Sequence, residues 1–447
     1  MSAPNPRTDA FRILRKVEAA GAFASTLLEK RAAKLRDSRE AGLLTELVQG
    51  VLRHRAPLDH AIAAAATRPV TDIDPEALTA LRIGAYSLLY LDRVPDFAAV
   101  DTAVALVKEA GAAKAAGFVN GVLRAIARRG TGILPPAPLS GDVRGLALFR
   151  SHPEWWTQRV VDRFGWDRAD AMLAANNQPA ATVLAASVDP AALALALGEE
   201  GVVAASCRFV PSALRVVSGV PQRTQLFKDG AFWIQDEASQ LAVSLFGSAA
   251  GPMVLDACAA PGGKTLGLAA RSQPGGLTVA TDRHPKRLLR LVQNVARIRA
   301  GGVVTLAADM SKPGPFSCLF DDVLVDAPCS GTGTLRRHPE IRWRLTPDDL
   351  RVTTDRQRRI LGASAALVRP GGRLVYSVCS IEPEEGEQIV EEFLARRTDF
   401  SRADPRPALP PAAHALVGDD HAVRTGAGDD GMDGFYAVLL TRPAVSM

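Results

Sequence analysis

The stretch DAPCSGTG, residues 326–333, closes an apolar run with an acid, a proline and a cysteine; about fifty residues later VYSVCS closes another run on Cys379. Neither Cys329 nor Cys379 is demanded by packing. Five cysteines in 447 residues, without metal-ligand spacing, describe neither a disulfide scaffold nor a zinc site, so a reactive thiol is the remaining chemistry. Thiol reactivity requires a thiolate, and hence a neighbour that favours one.

Carboxylates recur in comparable places. Asp282 closes GLTVATD, Asp309 closes VVTLAAD and Asp326 closes DDVLVDAP. One aspartate after a strand is commonly a turn or cap residue. Three in succession point to a nucleoside-containing ligand, whose ribose hydroxyls such an acid accepts from. Upstream, MVLDA leads into DACAAPGGKT, where Gly262 and Gly263 allow a sharp turn and a close backbone approach to a ligand. The glycine spacing is not that of a phosphate-binding P-loop.

To hold these residues together the chain needs a parallel sheet. MVLDA, GLTVATD, VVTLAAD, DDVLVDAP and GRLVYSV are separated by segments long enough for crossover helices, the pattern of a doubly wound, Rossmann-like α/β domain. We expect it over 236–443, with its ligands beyond the carboxyl ends of the strands. Residues 7 to about 130 read as all-helical. Leu43, Leu44, Leu47, Val48, Val51 and Leu52 recur at helical spacing, and Asp74, Pro75 and Glu76 form a helix start. The glycine- and proline-rich RRGTGILPPAPLSGD marks a linker at about 130–142, giving an all-α domain over 1–135. Residues 143–235 mix helix- and strand-like runs and suggest a small α+β module, so the chain is multidomain.

The composition, 47% apolar and 23% charged, is that of a globular protein, and no apolar run is long enough to cross a bilayer. MSAPNPRTDAFRIL has no signal-peptide core, so a cytoplasmic protein without a membrane partner is expected. The net charge of +5 rests mostly on arginine and permits a polyanionic partner. Basic residues cluster in RTDAFRILRK and LRRHPEIRWR; the second places Arg336 and Arg337 for phosphate contacts at the mouth of the site, while Trp343 reads as a base-stacking or a core residue.

DACAAPGGKT, DAPCSGTG, VYSVCSIEPEEGEQIV and DGFYAVLLTR resemble the motifs of S-adenosylmethionine-dependent RNA cytosine-5 methyltransferases, and LRIGAYSLLYLDRVPDFAAVDTAVALVKEAGAAKAAGFVNGVLRAIAR resembles a NusB-like RNA-binding domain. The pairing is that of the RsmB (Sun/Fmu) type of 16S ribosomal RNA methyltransferase. The resemblance spans nearly the whole chain and is weakest between about 180 and 225. It implies that Cys258, Ala259, Ala260, Pro261, Gly262, Gly263 and Lys264 wrap the methionine end of S-adenosylmethionine. Asp282 would hold the ribose, Asp309 would lie by the adenine, and Asp326 would touch cofactor first and target base second. Cys379 matches the nucleophile of the RNA family, and Cys329 would assist proton removal or product release. The Pro328-Cys329 pair also resembles the nucleophile of DNA cytosine-5 methyltransferases. The substrate implied is 16S ribosomal RNA and the protein a monomer. Val378 stands where the family usually has threonine, Gly386 where it has asparagine, and VLAASVDP where many members carry Arg-Val-Asn.

Rival readings are a cytosine-5 methyltransferase acting on another rRNA site or on tRNA, an exocyclic-amine methyltransferase, and a non-catalytic NusB-like RNA-binding factor. The second would carry an Asn/Asp-Pro-Pro-aromatic loop, and Asp326-Ala327-Pro328-Cys329 lacks both the second proline and the aromatic; the third has no use for two thiols and a cofactor loop. Cys207 and Cys318 read as small buried residues closing strands.

Overall fold

The structure, a computed structural model, describes residues 5–444 apart from 33, 36, 248, 249, 427, 429 and 430. Residues 1–4, the head of the N-terminal segment read above, lie outside the described residues. Contacts divide the chain into two units, Met1–Pro179 with Leu335–Arg344, and Ala180–Thr334 with Leu345–Met447.

The first unit is helical. Its helices run from Pro6–Ala20 to Ala116–Arg129, followed by Val143–Arg150, Glu154–Phe164 and Trp166–Asn176. The stripe read from sequence is its core: Leu44, Leu47, Val48, Val51 and Leu52 are buried, together with Val119, Val122, Leu123 and Ile126 of the last long helix before the linker. Asp74 caps the helix Pro75–Tyr90 by accepting from Glu76 N. Gly84 on that helix lets Leu123 and Ala103 come so close that a Cβ would lie 2.5 Å from a Leu123 methyl.

The segment 335–344, a basic stretch in the sequence, belongs to this unit. Arg342 is only 2% exposed, and donates to Ser151 O, Asn177 Oδ1, Asn176 O and Leu335 O. Burial pushes its guanidinium down to about 9. Glu340, also buried, accepts from Ala24 N at 2.9 Å. Trp343 donates to Leu52 O at 3.0 Å beneath the Arg55 guanidinium, so it packs within the unit. Arg336 donates to Pro179 O, and its carbonyl accepts from Arg53.

The second unit holds two sheets. The smaller comprises β1 (Val183–Ala186), β2 (Val203–Ser206), β3 (Ala213–Ser218) and β4 (Phe232–Ile234) in the order β2-β3-β1-β4, with antiparallel pairing. The larger comprises β5 (Met253–Asp256), β6 (Leu277–Asp282), β7 (Val303–Ala307), β8 (Phe320–Asp326), β9 (Val368–Val378), β10 (Ser401–Arg402), β11 (Ala422–Thr425) and β12 (Phe435–Thr441). Its order is β10-β12-β9-β8-β5-β6-β7, with β11 beside β12. Strands β5 to β9 pair in parallel, as their near-continuous apolar runs require; β12 enters antiparallel to β9 and makes the sheet mixed.

The order reverses between β5 and β8, which leave in opposite directions to β6 and β9; such a switch point opens a ligand crevice beyond the carboxyl ends. The opposite end of the sheet is locked by charge. Buried Asp322 on β8 receives Arg373 of β9 through two bonds of 2.7 Å and also accepts from Gly251 N.

Candidate active site

Because β8 and β9 are parallel neighbours at ~4.8 Å spacing, the loops that follow them must face each other. The result is direct contact: Cys329 Sγ lies 3.3 Å from Cys379 Sγ, and both residues are half-buried. The loops are tied together elsewhere as well. Gly333 N donates to Cys379 O, and the hydroxyls of Ser330 and Thr332 meet that of Ser380 at 3.2 and 3.1 Å. The Cys329 thiol is held well above the ordinary thiol range, first by its hydrogen bond with Cys379 and then by burial.

Lys264 reaches across from the glycine turn. Its ammonium sits 2.8 Å from Asp326 Oδ2 and 5.0 Å from the Phe435 ring centroid. Burial pulls its pKa down, but the charge and hydrogen bond of Asp326, together with Cys379 and Asp256, outweigh this and raise it. Asp326 also accepts from Ser377 Oγ at 3.0 Å. The two thiols, Lys264 and Asp326 therefore form one cluster at the ends of β8 and β9.

The turn after β5 is anchored by Ala257 N to Leu324 O and Ala259 N to Thr281 O, so DACAAPGGKT is stitched to strands on both sides. Gly262 has φ +110°, and a Cβ there would stand 2.8 Å from the Leu291 side chain. The helix it starts, Gly263–Ala269, has seven residues, so the turn offers close approach more than end charge. Cys258 lies on the turn with its thiol pushed up by burial.

Asp282, 6% exposed at the end of β6, uses Oδ1 to accept from His284 N, with Arg287 3.5 Å from Oδ2. Asp309 lies two residues past β7, and one oxygen accepts from Ser311 N and Oγ, bonds that lower its pKa. Both acids thus have a turn-forming oxygen and a second one.

Sequence reasoning missed two groups. Asp256, wholly buried at the end of β5, accepts from Thr265 through Oδ2 while Oδ1 has no partner, and burial pushes its pKa up to about 7. Arg356, in the helix Pro347–Ala365, has a buried Nε without a partner and lies in the fields of Cys258, Asp309 and Asp282. Asp256 was readable as the first acid of DACAAPGGKT; Arg356 carried no local signal. Cys207 is half-buried just past β2, with burial raising its thiol to about 12, whereas Cys318 is exposed, against the expectation of a buried residue.

Among the described residues no cluster could hold a metal ion, and no helix is long and apolar enough to cross a membrane. A sheet reversed between β5 and β8, with a glycine turn and acids at its carboxyl ends, defines the Rossmann-like methyltransferase class. Residues 245–441 match the family model described as 16S rRNA methyltransferase RsmB/F, residues 4–128 the NusB family and residues 152–223 the RsmF/B-like ferredoxin-like domain. The ribosomal RNA small subunit methyltransferase B of Pseudomonas putida is 32% identical over 452 residues, 99% of either chain. That of Vibrio cholerae is 30% identical over 451 residues, 98% of either chain. The chain belongs to the RsmB/F family of ribosomal RNA methyltransferases, whose methyl donor is S-adenosylmethionine.

Two solved structures share the fold. The crystal structure of PH0851 has a TM-score of 0.80 at 24% identity, covering 99% of this chain and 100% of that one. NSun6 from Pyrococcus horikoshii with SFG has a TM-score of 0.58 at 17% identity, covering 65% and 98%.

The crevice suits the methyl donor. Asp282 keeps a second carboxylate oxygen beyond its turn bond, and Asp256 Oδ1 and Arg356 Nε, which have no partner, offer one acceptor and one donor.

Proposed function

We propose that this protein methylates C5 of a cytosine in 16S ribosomal RNA through a covalent bond between Cys379 and C6 of the base. The observation that carries the reading is the 3.3 Å contact between two thiols beside a Lys264–Asp326 pair. Cytosine C5 is too weak a nucleophile to take a methyl group unaided; a thiolate added at C6 turns the ring into an enamine that can. S-adenosylmethionine supplies the electrophilic methyl group. Lys264 lends positive charge beside Cys379, and Cys329, which keeps its proton, can donate a hydrogen bond to the Cys379 thiolate. After methyl transfer the C5 proton is lost, the S–C6 bond breaks, and the same Cys329 S–H stabilises the departing sulfur. Asp326, facing both Lys264 and the thiol loops, contacts the methyl donor first and orients the base second.

In this reading Cys258 to Lys264 wrap the methionine end of the donor, Asp282 holds the ribose and Asp309 lies by the adenine. Residues 1–135 and 143–235 serve RNA binding, residues 236–443 do the chemistry, and the protein works as a cytoplasmic monomer. Full-length protein incubated with S-adenosylmethionine and unmodified 16S RNA carrying tritium at cytosine C5 should release tritium in step with methyl incorporation, and bisulfite sequencing should place the product at one cytosine. Methylation without tritium release would overturn the C5 assignment.

A further inference from the structure

Behind the two thiols lies a carboxylate that the mechanism above leaves unused. Glu385, in the turn after β9, has no exposed surface. Its Oε1 accepts from Ser330 N at 2.8 Å and from Gln357 Nε2 at 3.3 Å, and its Oε2 accepts from Ser330 Oγ. Gln357, itself fully buried, also donates to Pro328 O at 3.0 Å, so both chain neighbours of Cys329 are held through this group. Ser330 Oγ stands 3.2 Å from the hydroxyl of Ser380, the residue after Cys379. From below, Tyr376 OH donates to the Glu385 carbonyl at 2.7 Å. The backbone N–H and the side-chain amide that reach the carboxylate can only donate, and the serine hydroxyl can, which is the setting of an ionised, acceptor-only group.

We propose that Glu385 is a positioning residue for the two-thiol reaction: it fixes the Cys329 loop against the Cys379 loop, and its negative charge keeps the proton on Cys329 for the step in which Cys379 leaves the methylated base. The proposal rests on the cysteine roles proposed above. In that step the C5 proton passes to water, its electron pair restores the C5–C6 double bond, the S–C6 bond breaks, and the departing thiolate is stabilised by the S–H of Cys329.

The groups around Cys329 are Cys379 from the loop after β9, Tyr376 from β9 itself and Glu385 from the turn beyond; Lys264 and Asp326 flank Cys379, and Glu382 acts on Glu385. The Glu385 charge opposes ionisation of Cys329, in line with the raised thiol. Burial pushes the carboxyl of Glu385 up, and the bonds from Ser330 and Ser380 act against that.

The measurement is the decay of the protein–RNA adduct in a single turnover, quenched in detergent and followed against pH, for the full chain with Glu385→Gln, Glu385→Asp and Cys329→Ala. The release rate should fall on the alkaline side as Cys329 loses its proton. In Glu385→Gln that limb should move to lower pH, because the charge that opposes ionisation of Cys329 is gone. Glu385→Asp, which keeps the charge, should lower the rate while leaving the limb where the parent has it. A Gln variant slowed equally at all pH, or unchanged throughout, overturns the proposal; so does an Asp variant with a displaced limb, which decides the matter should the Gln variant fail to fold. Cys329→Ala separates the two layers: if it accumulates no adduct, the cysteine roles fail, independently of Glu385.

Discussion

Asp282 and Asp256 stand a strand apart and behave differently because their surroundings differ. Asp282 is held by a backbone N–H and approached by Arg287, and in the proposed reading its carboxylate accepts from the ribose hydroxyls. Asp282→Ala should weaken S-adenosylmethionine binding by roughly 1.5–3 kcal/mol, more than tenfold, in calorimetric titration of a folded variant; unchanged affinity would remove Asp282 from the site. Asp256 is pushed up to about 7 from 3.8 by burial, so the folded state binds its proton more tightly than the unfolded state does. Its contribution to stability is therefore present below about pH 4 and is lost as pH rises toward 7. Asp256→Asn should flatten the fall in melting temperature between about pH 4 and 7, and an equally steep profile would show that another group titrates there. Sequence could name Cys329, Cys379 and Asp282 because each ends an apolar run. It could not name Arg356 or Glu385, whose meaning depends on partners supplied by distant segments: Cys258, Asp282 and Asp309 for one, Ser330 and Gln357 for the other.

At the scale of elements, the five apolar runs were readable as parallel strands because they show little polar alternation, as strands buried on both faces do; β7, at the edge of the sheet, is apolar yet partly exposed. The antiparallel β12 could not be read from periodicity, since FYAVLLT is as continuously apolar as its parallel neighbours. In the proposed reading, donor binding depends on the turn between β5 and its helix. Gly262→Ala would place a Cβ 2.8 Å from Leu291 at a left-handed φ, so we expect a loss of about 1 kcal/mol or more in stability and weaker S-adenosylmethionine binding, read by denaturant melting and titration of the same sample. A variant with unchanged melting and affinity would mean that the turn relaxes freely.

For the whole molecule, the sequence misled where charge suggested surface. LRRHPEIRWR reads as a basic stretch, yet within it Arg342 is buried, with its two terminal nitrogens held by carbonyls and an amide oxygen that no local pattern announces. Arg342→Ala should cost roughly 3 kcal/mol, because it strips donors from several buried acceptors at once, and melting curves would show it; a shift of a few tenths would place Arg342 at the surface instead. Removing residues 1–130 should weaken binding of 16S RNA and make it less salt-dependent, since phosphate contacts are lost. It should also lower the melting temperature, because Ala24 N, Leu52 O and the Val17, Gly21 and Ala22 carbonyls are the partners of Glu340, Trp343 and Arg344. RNA affinity and salt slope equal to those of the full chain would give the helical domain another role.

The division of labour between the thiols is tested most directly by incubating Cys379→Ala and Cys329→Ala with S-adenosylmethionine and unmodified 16S RNA and resolving the products on a denaturing gel. Cys329→Ala should still attack and methylate but fail to release, leaving a protein–RNA complex that survives denaturation, while Cys379→Ala should be inactive and trap nothing. Stalled complexes in Cys379→Ala with none in Cys329→Ala would reverse the roles, and full activity in both variants would exclude the covalent mechanism.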